Sequence, residues 1–165
     1  MTLTSEIIKV GIADVKTTVY PNTLKTSGLG SCVGLVLYDN KAKIAGLAHI
    51  MLPDSTVAKK DNQNRMKYAD TAFEILLHNL LTSGASKANL KAKMAGGAHM
   101  FGFKSDNKML RIGERNIEAI RVLLHHHHIP LISEDVGGNK GRTIVFDIDT
   151  SMLEIRTVNS GTKQI

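Results

Sequence analysis

Residues 25–53 constrain the fold of this chain more than any other stretch. Two apolar runs occupy most of it, and the only polar interruption between them is residues 39–42. A short polar break between two such runs is typical of a tight turn, so the stretch predicts a β-hairpin. Both faces of the two predicted strands are apolar, which places the hairpin in the middle of a layered structure.

The single cysteine and a histidine lie on different strands at the open end of this hairpin. Cys32 begins the first apolar run and His49 stands near the end of the second. A turn centred between Asn40 and Lys41 places Cys32 directly opposite His49, and opposed residues have Cβ atoms about 4.5–5.5 Å apart. An imidazole at that distance can take the thiol proton, and an imidazolium would lower the pKa of the thiol.

Two alternatives stay open for this pair. A loop with an odd number of residues would shift the pairing by one residue and move Cys32 away from His49. Cys32 could also be a packing residue, because cysteine is among the residues most often buried.

The glycines around Cys32 do not form a familiar nucleotide-binding loop. The third glycine of residues 28–34 falls one place late for a dinucleotide fingerprint, and an apolar strand follows where a helix is required. Ser31 does not have glycines two residues before and two residues after it, as a nucleophile elbow requires. We expect Gly28, Gly30 and Gly34 to leave room for a substrate backbone near the hairpin end.

Composition limits the class of protein and its partners. A chain of 165 residues with 42% hydrophobic content predicts one domain over residues 1–165. A lone cysteine, no signal-like start and no membrane-length apolar run predict a soluble cytoplasmic protein. The net charge of +6 favours acidic partners, but with three Tyr, four Phe and no Trp the chain has few rings to stack on bases. An acidic protein surface therefore fits at least as well as nucleic acid.

The remaining segments predict strands and helices without regular alternation. Alternating apolar residues predict strands at 7–15, 90–94, 131–136, 143–149 and 152–158. Apolar residues three and four apart predict helices at 66–83 and 113–128. Segments 17–27 and 54–65 are predicted loops, and residues 160–165 are predicted to fray. Together they predict an α+β fold, with a largely antiparallel or mixed sheet covered by two or three helices.

Two further motifs favour structure over chemistry. The four histidines at 125–128 would fan around a helix axis instead of converging on one metal, so we predict neither a metal site nor a cofactor. Residues 137–142 are glycine-rich, but no helix follows them, which favours a hairpin turn over a phosphate cradle.

Several motifs in order resemble the chemoreceptor glutamine deamidase family, CheD. They are Thr26, residues 28–34, His49, and residues 96–101, 113–116 and 135–142. The resemblance implies a cysteine amidohydrolase that converts glutamine side chains of methyl-accepting chemotaxis receptors to glutamate and releases ammonia. It also implies a layered α/β sandwich similar to bacterial toxin deamidases, and a regulatory complex with the chemotaxis phosphatase CheC.

The resemblance assigns catalytic roles to three residues. It implies Cys32 as nucleophile, His49 as base and Thr26 as the group that orients the imidazole. The backbone N–H of Cys32 would be an oxyanion donor, together with Gly30 or Ser31. Gly28 would lie with these two residues against the substrate.

The glycine pair at 96 and 97 is predicted to bend the chain into a corner, and two large apolar side chains follow at 100 and 101. Phe101 could pack in the core, because aromatic side chains are enriched in cores as well as at interface centres. The alternative is that Met100 and Phe101 form a surface that binds partner proteins. A non-catalytic adaptor that binds receptor or phosphatase is the alternative function.

Overall fold

The computed structural model describes residues 4–57, 64–100 and 111–165. Within these ranges the chain forms two five-stranded β-sheets and two α-helices. The strands are β1 (Ile7–Lys9), β2 (Val15–Val19), β3 (Thr23–Leu29), β4 (Val33–Asp39), β5 (Ile44–Ile50), β6 (Lys91–Gly96), β7 (Leu131–Val136), β8 (Arg142–Asp147), β9 (Met152–Thr157) and β10 (Gly161–Gln164). The helices are α1 (Ala69–Thr82) and α2 (Ile112–His126), and short 3-10 helices lie at Ser55–Val57, Arg65–Lys67 and Lys87–Asn89.

The two sheets are both mixed. The first has the strand order β1-β3-β8-β9-β10, and the second has the order β2-β5-β4-β6-β7. Neighbouring strands are antiparallel except for the parallel pairs β1–β3 and β6–β7. The predicted α+β class, with mixed and largely antiparallel sheets, is confirmed.

The second sheet is the middle of three layers. One of its faces packs on the first sheet through a core that includes Leu24, Val36, Leu47, Ile144 and Phe146. Its other face packs on the helices through a core that includes Leu35, Ile50, Phe73, Leu76 and Ile120. All residues of β4 and β5 are buried, so the prediction that the hairpin lies centrally is confirmed.

The predicted helices and most later strands are confirmed within a few residues. Helix α1 ends at Thr82, and Gly84 follows with a φ of 111°, a left-handed conformation that suits glycine after a helix. None of the helices in the described ranges is long and apolar enough to cross a membrane.

Three predictions for the chain ends are wrong. Residues 7–15 do not form one strand, because β1 joins the first sheet while β2 begins only at Val15 and joins the second. Residues 17–27 are not a loop but contain most of β2 and β3. An apolar pattern did not predict β3 because one of its buried residues is the polar Thr26. The tail does not fray, since β10 pairs with β9 even though all four of its residues are exposed.

Candidate active site

A buried hydrogen bond joins the two sheets at one edge of the sandwich. Thr26 on β3 and His49 on β5 are 2% and 0% exposed, and Thr26 Oγ1 lies 2.7 Å from His49 Nδ1. The Thr26 hydroxyl also donates to the Val10 carbonyl at 2.8 Å. Because a carbonyl cannot donate and the hydroxyl has one proton, Oγ1 accepts from Nδ1–H. The imidazole is therefore protonated on Nδ1 and has its lone pair on Nε2.

The β4–β5 register differs from the prediction by two residues. His49 lies opposite Gly34, and Val33 lies opposite Ile50, so Cys32 comes one residue before the ladder. Direct opposition of Cys32 and His49 is wrong. Because the shift is even, the two residues keep the same side of the hairpin and are diagonal neighbours.

The side chain of Asp39 accounts for this register. Its Oδ1 accepts from the backbone N–H groups of Lys41 and Ala42, both at 3.0 Å. These bonds stabilise a loop of residues 40–43 between Asp39 and Ile44, which is centred between Lys41 and Ala42 instead of between Asn40 and Lys41 as predicted.

Burial keeps the Cys32 thiol and the His49 imidazole neutral. It raises the pKa of the Cys32 thiol, which a hydrogen bond from the residue's own backbone N–H opposes without reversing. It also lowers the pKa of His49 from 6.5 to about 4. The imidazolium expected to lower the thiol pKa is thus absent at neutral pH, and that prediction is wrong. His49 Nε2 is buried and has no hydrogen-bond partner among the described residues.

Backbone contacts hold the loop before β4. Gly97 N–H donates to the Cys32 carbonyl at 2.9 Å, and Ala98 N–H donates to the Gly30 carbonyl at 2.8 Å. Gly96 must be glycine, because a Cβ there would lie 2.3 Å from the Cys32 oxygen. The bend predicted at the glycine pair is confirmed, with φ values of 114° and 67°.

Asn116 is a site residue to which sequence reasoning gave no role. It is 0% exposed on α2, and its Nδ2 donates to the carbonyls of Ser31 and Met51, both at 3.0 Å. The available signal was a polar residue beside Gly113, Ile117 and Ile120, all of which are buried on one face of α2.

The three glycines near Cys32 have different surroundings. A Cβ on Gly28 would meet nothing within 4 Å, whereas one on Gly30 would lie 3.2 Å from Cγ of Met100. A Cβ on Gly34 would lie 2.6 Å from Ile144 on the opposing sheet. Gly34 therefore permits close packing of the two sheets, and the expectation that it makes room for substrate is wrong. Met100 is 46% exposed beside the Cys32 loop, and Phe101 lies outside the described residues.

An open groove borders this site on the side of the first sheet. It has a volume of about 480 Å³ and is lined by residues 9–12 and 25–28, including Thr26 and Gly28. Lys9 and Lys25 supply positive charge to its walls, and Ile12 is 61% exposed at its rim.

A family described as CheD chemotactic sensory transduction has a sequence model that matches residues 51–157. The chain belongs to the CheD family. A relative from Halalkalibacterium halodurans, named chemoreceptor glutamine deamidase CheD, is 55% identical over 161 residues, which cover 98% of this chain and 99% of the relative. The protein of the same name from Bacillus subtilis is 56% identical over 159 residues, with 96% of each chain covered. The crystal structure of Neisseria meningitidis protein NMB0706 is a distant likeness, with a TM-score of 0.46 and 8% identity over 80% of this chain and 64% of that one.

Proposed function

We propose that this CheD protein converts glutamine side chains of chemoreceptors to glutamate and releases ammonia. Cys32 is the nucleophile, His49 the general base and Thr26 the residue that orients His49. The observation that carries these roles is the Thr26–His49 hydrogen bond at 2.7 Å. It fixes the proton on Nδ1 and leaves Nε2 as a buried acceptor on the side of the hairpin where Cys32 lies.

The reaction begins with a neutral thiol and a neutral imidazole. As Cys32 Sγ attacks the carboxamide carbon, His49 Nε2 takes the thiol proton and a tetrahedral oxyanion forms. Burial disfavours the imidazolium, so His49 readily passes the proton to the NH2 group of the intermediate, and the C–N bond breaks to release ammonia and leave a thioester on Cys32. His49 then deprotonates a water that hydrolyses the thioester, which yields the glutamate carboxylate and restores the thiol.

Backbone N–H groups stabilise the oxyanion. The Cys32 N–H is the first donor, because it belongs to the residue that carries the nucleophile. Gly30 N–H already donates to the Gly28 carbonyl at 3.1 Å, which favours Ser31 over Gly30 as the second donor. Gly28 and Gly30 then serve the substrate as small residues that allow its backbone to approach.

The groove beside Thr26 receives the receptor segment that carries the glutamine. Lys9 and Lys25 on its walls and the net charge of +6 suit an acidic protein surface. In this proposal the protein works in the cytoplasm, where the signalling parts of receptors lie, and binds CheC through the corner that carries Met100 and Phe101.

A direct assay tests the activity and the nucleophile together. Purified protein is incubated with a receptor cytoplasmic fragment, and ammonia release and the mass of receptor peptides are followed. We expect glutamine-to-glutamate conversion with the unaltered protein and none with Cys32→Ala, which leaves the fold intact because little volume is removed. A non-catalytic adaptor would bind receptor without ammonia release, and activity in Cys32→Ala would overturn the cysteine mechanism.

A further inference from the structure

The Asn116 side chain bridges two chain segments at the point where the β4–β5 ladder opens. The last ladder pair is Val33 with Ile50. Immediately beyond it, Asn116 Nδ2 donates to the Ser31 carbonyl and to the Met51 carbonyl, both at 3.0 Å. Both N–H groups of the carboxamide are thus used to join the loop before the nucleophile to the strand that carries the base.

The bond to Ser31 also fixes the direction of an oxyanion donor. The Ser31 carbonyl and the Cys32 N–H belong to one peptide group, which is planar and trans. In such a group the C=O and N–H point in opposite directions. Because the carbonyl points to Asn116 in the helix layer, the Cys32 N–H points away from that layer, towards the side where the thiol packs against the inter-sheet core.

A second contact holds the next peptide group of the loop. The Cys32 carbonyl accepts from Gly97 N–H at 2.9 Å. The peptide groups before and after Cys32 are therefore held by different partners, and Asn116 is the partner of the first.

We propose that Asn116 is a positioning residue that holds the Ser31–Cys32 peptide with its N–H directed at the oxyanion. Without the carboxamide this peptide can rotate, and the donor is lost while Cys32 and His49 keep their places. The inference rests on the cysteine mechanism proposed above, because only that mechanism forms an oxyanion at Cys32.

Two reactions of Cys32 separate this role from a merely structural one. Deamidation passes through an oxyanion, whereas alkylation by iodoacetamide displaces iodide from carbon and forms none. Asn116→Leu keeps a similar volume and removes both donors, and Asn116→Asp keeps the shape with at most one donor. Asn79→Leu on α1 is the matched control for loss of a helical asparagine, and Cys32→Ala tests the mechanism itself.

We expect both Asn116 variants to lower kcat for the receptor fragment by about 10²–10³-fold, the usual loss for one oxyanion donor, with little change in KM. Their rates of alkylation should stay near that of the unaltered protein, and Asn79→Leu should change neither rate. If deamidation and alkylation fall together, or neither falls, the inference is overturned. Activity in Cys32→Ala would instead overturn the mechanism on which it rests.

A measurement on the unaltered protein tests the bridge if the variants fail to fold. The Nδ2 protons of Asn116 should exchange with deuterium far more slowly than those of the exposed Asn40, because both are hydrogen-bonded in a buried place. Exchange at equal rates would overturn the proposed bridge.

Discussion

Thr26 and His49 join the two sheets of the sandwich through one buried contact, with Oγ1 2.7 Å from Nδ1. Each residue comes from a different sheet, and the hydroxyl proton is already donated to Val10. The imidazole can therefore keep only one tautomer, and packing of the sheets sets its ring angle. The chemistry of the site thus depends on how the two sheets are placed against each other.

Loss of His49, the proposed base, should cost more activity than loss of Thr26, the residue proposed to orient it. We expect His49→Ala to lower kcat for deamidation by about 10²–10⁴-fold, because it removes the group that moves protons. Thr26→Val removes only the acceptor for Nδ1–H and should cost about 2- to 10-fold, the worth of one net hydrogen bond. Thr26→Ser keeps the hydroxyl and is the control. Equal losses in steady-state assays would show that Thr26 does more than orient.

The buried imidazole should make stability depend on pH in a defined window. The pKa of His49 falls from 6.5 to about 4 in the folded protein, so between these values the unfolded chain binds a proton that the folded chain does not. The stability that depends on a neutral His49 is fully present above pH 6.5 and is lost as pH falls towards 4. The total loss in the free energy of unfolding is about 3 kcal/mol.

Urea unfolding at pH 7 and pH 4.5 measures this effect. The free energy of unfolding should fall more for the unaltered protein than for His49→Gln, which has no titratable side chain at position 49. The same fall in both proteins would mean that His49 is not held neutral by the fold.

A buried arginine should hold the glycine-bent corner against the Cys32 loop. Arg142 is 8% exposed and donates to Asp135 at 3.2 Å and to the carbonyls of Gly96 and Gly137 at 3.3 and 2.9 Å. Arg142→Met should destabilise the fold by about 3 kcal/mol, at the low end for a broken buried pair because Asp135 keeps Lys163 at 3.2 Å.

Arg156→Met is the matched control for this change. The Arg156 ion pair with Glu154 is exposed, so its loss should cost less than about 1 kcal/mol. Arg142→Met should also lower kcat, since Gly96 begins the corner whose next residue, Gly97, donates to the Cys32 carbonyl. Denaturant midpoints measure the stability of the two variants and initial rates measure their activity. If both variants behaved alike, the role assigned to Arg142 would be wrong.

The surface at Met100 and Phe101 should serve partner binding. Met100 is exposed beside Gly30, so a protein bound there would cover the Cys32 loop. We expect CheC to inhibit deamidation by occlusion, and Met100→Ala and Phe101→Ala to weaken CheC binding without lowering the Tm. Val122→Ala, an exposed apolar change on α2, is the control. Deamidation at the free rate by the CheC-bound protein would exclude occlusion of the Cys32 loop.

Local pattern was enough to determine the central hairpin, both helices and most later strands. The apolar residues of β4 and β5 predict burial on both faces, and the structure buries them all. The pattern also placed Cys32 and His49 on one side of the hairpin, because side-chain direction in a strand depends only on whether the separation is odd or even.

Only the tertiary structure decided how the site is assembled. The register depends on hydrogen bonds of the Asp39 side chain. The position of Thr26 depends on β3, a strand with too many polar residues to be predicted from an apolar pattern. Asn116 bonds to Ser31 and Met51, which lie 85 and 65 positions before it in the chain. Residue type and spacing report local conformation, whereas hydrogen bonds and pKa values in a buried site depend on which distant groups folding brings together.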